Sequence, residues 1–240
     1  MDPNNFILLV IVMPAFISSL TIHEFAHAWM AHRLGDDTAR LLGRLSLDPL
    51  VHLDFMGTAM MVIAILSNWP LLGWAKPVPI NPLNFENRTR GQVLVAIAGP
   101  ISNLLQAIVW SILLAVVLLG LKLSGQDALG EGLNALFANG ISLDSWISPV
   151  LTAIKYGVLI NIALAAFNMI PLPPLDGHWV LMGMEIPSVN RAFEVIRPYS
   201  FFLLILLVAL PPFSNYFDYY MMWFIGGAYQ LIMWIAMLFV

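Results

Sequence analysis

The sequence predicts an all-α polytopic membrane protein, with five to six transmembrane or re-entrant segments and short β elements between them. Three observations carry that expectation. Of 240 residues, 60% are hydrophobic and 10% are charged. A water-soluble domain carries about 25% charge, so these charges cannot cover a globular surface and most of the exterior must meet lipid. Six apolar stretches recur along the chain, at residues 6–31, 55–72, 92–121, 149–170, 199–210 and 219–240. Most Lys and Arg residues fall between these stretches and not within them.

The first stretch has no basic flank before it and no small-residue cleavage site after it, so it reads as a retained helix and not as a secretory leader. A helix needs about 20 residues to cross the hydrocarbon, which the first, third, fourth and sixth stretches supply. The second is short, and Asn68, Pro70 and Gly73 interrupt its far end. Arg33, Arg40 and Arg44 precede it while Lys76, Arg88 and Arg90 follow it, so both flanks belong on the cytoplasmic side. A re-entrant excursion satisfies both flanks. Such a segment is tolerated at membrane depth where it packs in protein or lines a wet cavity. A full crossing is the alternative.

Residues 124–148 contain Asp127, Glu131 and Asp144 but no Lys or Arg, and read as an outside loop. Arg191 and Arg197 mark the next cytoplasmic loop. The fifth stretch is short, and Pro211 and Pro212 close it. Lys122 and Lys155 are expected to snorkel near helix ends. This path places the N-terminus outside and the C-terminus inside. One domain is expected over residues 1–240, with a core at about 7–185 and an accessory transmembrane hairpin at 199–240.

Two short pieces read as extended. Residues 41–47 contain Gly43 and alternate Leu45 with Leu47. Residues 76–82 read K-P-V-P-I-N-P, where the prolines exclude a helix and Val78 and Ile80 share a face. Strands that contain proline belong at sheet edges.

The absence of cysteine excludes disulfides and thiolate metal sites. Any transition-metal ligands must therefore be His, Asp or Glu. The net charge of −4 is small and unclustered, which argues against nucleic acid as a partner.

The first apolar helix contains His23-Glu24-Phe25-Ala26-His27. Residues four apart share a helical face, so both imidazoles can reach one cation while Glu24 stands beside a metal-activated water. Two His and a Glu are costly in lipid without such a partner; a polar network between helices is the plainer alternative. Catalytic zinc takes three protein ligands and a water. The candidate third ligand is Asp176, in the stretch Asn168-Met169-Ile170-Pro171-Leu172-Pro173-Pro174-Leu175-Asp176-Gly177, where prolines end a helix and Gly177 allows a sharp turn. By itself Asp176-Gly177 also fits an ordinary turn, or a cap on a new helix; beside HExxH the ligand reading prevails.

HEFAH in a membrane helix, Gly99-Pro100-Ile101-Ser102-Asn103 in another, and the Asn-x-x-Pro-x-Pro-x-Leu-Asp-Gly stretch resemble the site-2 protease family. The flanking G-R-L-S-L-D-P and G-W-A-K-P-V-P-I-N-P segments look like its compact bacterial branch, without a PDZ or CBS module. The resemblance implies an intramembrane zinc metalloprotease with one zinc ion held by His23, His27 and Asp176, and with Glu24 as the catalytic acid/base. It implies that Asn168 lies beside the active site as a substrate or oxyanion contact, with Asn161 as a second candidate. A helix–helix hydrogen bond is the other reading of both. It also implies β structure near the site, a single-span membrane-protein substrate, and a place in the bacterial cell membrane with the active site toward the cytoplasmic side. His32, His52 and His178 are not expected to be ligands.

Two other classes fit intramembrane His and Asp: a metal transporter, and an inactive relative that binds helices without cutting. Transporters stack ligands at successive depths, whereas these cluster at one level. The presence of Glu24 and all three ligand types argues against an inactive relative.

Overall fold

The computed structural model describes residues 3–67, 74–137, 146–211 and 213–239. It is built from ten helices among the described residues: α1 (Pro3–Arg33), α2 (Thr38–Leu41), α3 (Phe55–Ser67), α4 (Arg88–Ser124), α5 (Gln126–Phe137), α6 (Ile147–Asn168), α7 (Gly177–Met182), α8 (Pro187–Ile196), α9 (Ser200–Ala209) and α10 (Phe213–Met237). Four of them, α1, α4, α6 and α10, are long and apolar enough to cross a membrane. The protein is a multi-pass membrane protein. At 1.5 Å per residue the 37 residues of α4 reach about 55 Å, well past the hydrocarbon thickness of about 30 Å. One face of α4 leaves Ile101, Leu105, Ile108, Val109 and Ile112 exposed, as a lipid-facing surface requires.

Hydroxyls inside α1 are satisfied locally. Ser19 Oγ donates to the carbonyl of Ala15 at 2.6 Å and Thr21 Oγ1 to that of Ile17 at 2.7 Å. The helix stops at Gly35, whose φ of +99° is open to glycine and strained for other residues. Helix α6 sits at the centre, packed against α1, α4, α5 and α10. Small residues let it do so: a Cβ at Gly157 would lie 2.6 Å from Cε2 of Trp110 on α4.

The second apolar stretch makes an out-and-back excursion. Helix α3 has 13 residues, about 20 Å of rise, and its interrupted end at residues 68–73 lies outside the described residues. By Trp74 the chain is back beside the start of α3, where a Cβ at Gly57 would lie 2.8 Å from the Trp74 backbone nitrogen. Leu53 and Ala75 form an antiparallel bridge, and Lys76 N–H donates to the His52 carbonyl at 2.8 Å. Helix α9, with ten residues, covers about half the hydrocarbon.

Three expectations need correction. The short β elements do not form: the bridge at Leu53 and Ala75 is isolated, and no strand occurs among the described residues. Residues 41–47 curl instead of extending, because Leu42, Gly43 and Arg44 bond back to the carbonyls of Thr38, Arg40 and Ala39, and Gly43 turns the chain at a φ of +69°. Residues 76–82 have no partner strand among the described residues, and Pro77 and Pro79 deprive one edge of the segment of its N–H groups. The expected outside loop contains α5, which buries Leu129 and Leu136 in the core shared with α4 and α6. Lys155 does not snorkel. It is buried, and its Nζ donates to the Leu136 carbonyl at 3.0 Å, in the last turn of α5, where a cation complements the helix dipole.

Candidate metal centre

His23 and His27 lie one turn apart on α1, with their rings edge to face and centroids 4.6 Å apart. Each ring is held from behind. His23 Nδ1–H donates to Asn103 Oδ1 at 2.6 Å, and His27 Nδ1–H donates to the Val95 carbonyl at 2.7 Å. Both partners come from α4. Donation through Nδ1 leaves each Nε2 as a lone pair pointing into the site.

Asp176 arrives from a fold-back after α6. The backbone at Gly177 presses against Met169 and Ile170, where a Cβ would meet the Ile170 carbonyl oxygen at 2.7 Å. No side chain fits there, so Gly177 permits the turn. Asp176 stands at the start of α7 but makes no side-chain capping bond. Its carboxylate faces the histidines instead. Oδ2 lies 3.3 Å from Nε2 of His23 and 3.4 Å from Nε2 of His27, and the two Nε2 atoms are 3.0 Å apart.

This donor set fits a divalent metal. Tetrahedral coordination with arms of about 2 Å separates ligand atoms by about 3.3 Å, close to all three distances. Asp176 Oδ2 is buried and has no hydrogen-bond donor. With neutral rings, three lone pairs converge on one point, an arrangement that a cation stabilises. Gly99 of α4 forms one wall: a Cβ there would sit 2.6 Å from Cε1 of both imidazoles. Only a residue without a side chain lets α4 pass this close.

Glu24 is next to His23, about 100° round the helix. It is nearly buried and accepts no hydrogen bond among the described residues, which leaves its lone pairs for a water. His23, His27 and Asp176 are therefore brought together, with Glu24 adjacent. Asn168 stands in the last turn of α6, where Nδ2 donates to the Leu164 carbonyl at 3.0 Å. Asn161 is fully buried: it accepts from Asn103 Nδ2 at 3.0 Å, and its own Nδ2 donates to Ser19 Oγ at 2.8 Å and to the Gly157 carbonyl. With its amide oxygen and nitrogen both engaged, Asn161 braces Asn103. His178 is also buried, its Nδ1–H donating to the Leu175 carbonyl at 2.5 Å.

Reading the sequence missed the support of His23, a chain running His23–Asn103–Asn161–Ser19 through α1, α4 and α6. Its signal was present as two asparagines in apolar helices, where polar groups need partners.

The chain matches the model of peptidase family M50 over residues 11–207. It is 36% identical over 195 residues to the Bacillus subtilis protein YwhC, provisionally named a zinc metalloprotease, covering 81% of this chain and 78% of that one. The Rip2 proteins of Mycolicibacterium smegmatis and Mycobacterium tuberculosis, provisionally named the same way, are 28% and 29% identical. Those matches cover 90% and 92% of this chain and 73% of each relative. No solved structure matches the chain. A carboxylate and two imidazoles brought to metal-binding distance agree with the family match, and the chain belongs to peptidase family M50, the site-2 proteases.

Proposed function

We propose that the protein is an intramembrane zinc endopeptidase that hydrolyses a peptide bond in or near the transmembrane segment of a single-span membrane protein. The observation that carries this reading is the convergence of His23, His27 and Asp176 at 3.0–3.4 Å beside an uncommitted Glu24, all within a membrane-spanning bundle. A transporter would need ligands at further depths, and no other metal-binding group occurs among the described residues.

His23, His27 and Asp176 would hold the zinc. When bound, zinc supplies a Lewis acid that brings the pKa of water to about 7. Asn103 and the Val95 carbonyl keep both imidazoles in the tautomer that presents Nε2. Glu24 takes the proton of the attacking water on its carboxylate and delivers it to the leaving amine. Asn168, from the end of α6, is the candidate to donate to the oxyanion.

Arg33, Arg40, Arg44, Lys76, Arg88 and Arg90 gather beyond the C-terminal end of α1 and around the out-and-back excursion. That distribution supports a site toward the cytoplasmic side of a bacterial cell membrane, with the N-terminus outside. His27 precedes Arg33 by six residues, about 9 Å along the helix, so water has a short path in.

A transmembrane helix hides its carbonyls until it unwinds, and an unwound stretch needs new backbone partners. Residues 76–80 are suited to supply them by strand addition. Pro77 and Pro79 have no N–H, while the N–H groups of Val78 and Ile80 have no partner among the described residues. Proline at Val78 or Ile80 should cripple cleavage and leave zinc content intact; undiminished cleavage would sink strand addition.

The test of the function is co-expression with a panel of single-span membrane proteins, comparing wild type with Glu24→Gln. Fragments that depend on Glu24 support the peptidase. Identical fragments with both would remove the assignment.

A further inference from the structure

Residues 75–85 link two apolar clusters that α1 builds on either side of His23 and His27. At one end Ala75 joins the apolar cluster that Val12, Phe16 and Leu20 of α1 form with Met61 and Ile160. At the other end Phe85 packs with Ala31 and Val95. Leu20 and Ala31 bracket His23 and His27, so the segment must pass their level.

Two buried charged side chains hold this segment. Arg44 is 6% exposed; its Nη2 donates to the Lys76 carbonyl at 2.5 Å and its Nη1 to the Pro77 carbonyl at 3.1 Å. Asp36 is fully buried and accepts from Asn81 N–H and Asn84 Nδ2, both at 2.7 Å, and from Thr38. Between these two fixed ends lie Val78, Pro79 and Ile80, with Ile80 36% exposed.

Arg44 is an expensive way to hold a loop. Burial of an unpaired guanidinium is costly, and no carboxylate among the described residues is bonded to this one. Its Nε–H is buried without a partner. A planar fork holds two successive carbonyls in one fixed geometry, which the rotatable donors of an ammonium do not impose. Such a grip sets the rotation of the segment that follows, and successive residues of an extended chain face opposite edges while alternate ones share an edge. Fixing Lys76 and Pro77 therefore decides which way the N–H groups of Val78 and Ile80 point.

We propose that Arg44 is the positioning residue of the substrate-binding edge: it clamps Lys76 and Pro77 so that Val78 and Ile80 present their N–H groups to a substrate chain unwound beside α1. This rests on the strand-addition reading above. Arg44 acts through the segment and does not touch the reacting bond.

The chain has no cysteine, so one introduced at Ile80 is unique. In the Glu24→Gln background it is paired with a single cysteine placed near the cleaved bond of the single-span protein that passes the Glu24 test, and disulfide yield is measured. Zinc and helix content are measured in each variant. Arg44→Gln is expected to lower the cross-link roughly tenfold with zinc retained, and Arg44→Lys to give an intermediate yield. With Glu24 intact, Arg44→Gln should raise KM more than it lowers kcat. If Arg44→Gln itself loses zinc or helix, Arg44→Lys decides by the same readouts. Full cross-linking and unchanged KM in the zinc-replete variant would overturn the role of Arg44 and leave strand addition standing. No cross-link from Ile80 or from a cysteine at Val78, with Arg44 intact and cleavage demonstrated, would overturn strand addition and this role together.

Discussion

Asn103 Oδ1 lies 2.6 Å from Nδ1 of His23, across the interface of α4 and α1, and neither residue is exposed. A buried asparagine thus decides which nitrogen of His23 faces the candidate metal site. Asn161 and Ser19 fix the asparagine in turn.

Replacing Asn103 by Ala should therefore weaken zinc binding without removing a ligand. Loss of such an outer partner costs about 10- to 100-fold in metal affinity. Competition against a chelator of known affinity measures it directly. Asn161→Ala should give a smaller loss, because it acts one bond further out. Wild-type affinity in Asn103→Ala would show that the bond does not orient His23.

Gly99 and Gly120 lie on the same helix and should respond oppositely to Ala. At Gly99 the new Cβ collides with both imidazoles, whereas at Gly120 it meets nothing within 4 Å. Gly99→Ala should lose zinc and cost about 1–3 kcal/mol, as overpacking does. Gly120→Ala should be neutral or stabilise by up to about 1 kcal/mol through helix propensity. Thermal unfolding in detergent, together with zinc content, distinguishes them.

Asp36 should make part of the stability depend on pH. Burial alone would raise its carboxyl pKa, but the Thr38 hydroxyl, Asn81 N–H and Asn84 amide outweigh burial and hold it below the ordinary value. A depressed carboxyl stabilises the fold fully above the unfolded value of about 3.9, and the contribution fades as pH falls through the folded value. Asp36→Asn should cost about 1–3 kcal/mol near neutrality, and its melting temperature should converge on the wild type as pH falls through the depressed folded value of Asp36. The comparison belongs in chelator, so that metal loss affects neither curve. Parallel curves across the range would rule out Asp36 as the titrating group.

Metal removal should abolish cleavage and leave the bundle helical. The large apolar cluster of Leu114, Leu118, Leu151, Val158 and Ile232 contains no residue of the metal centre, so its packing is independent of the ligand set. Chelation should give inactive protein with an unchanged far-UV helical signal, and added zinc should restore cleavage. Collapse of the helical signal would mean that the metal holds the fold.

The sequence by itself determined the four spans and the HExxH half of the site. Both are local: 18 or more apolar residues can satisfy their backbone in lipid only as a helix, and residues four apart on a helix share a face whatever surrounds them. The amphipathic α5 was hidden because acidic residues and an absence of Lys and Arg look like a loop until Leu129 and Leu136 have a surface to bury against. That residues 76–82 are not helical was legible from their prolines, but their holders Arg44 and Asp36 were not, since their partners lie 32 to 48 positions away. Only the tertiary structure decided that Asp176 turns away from the helix it precedes and points at the histidines, because that depends on how tightly Gly177 folds onto Met169 and Ile170. It also decided that His23 presents Nε2, since the atom enforcing this sits 80 positions along the chain on another helix. The HExxH spacing brings two imidazoles to one face of α1, and helix packing supplies their orientation, the third ligand and the wall at Gly99.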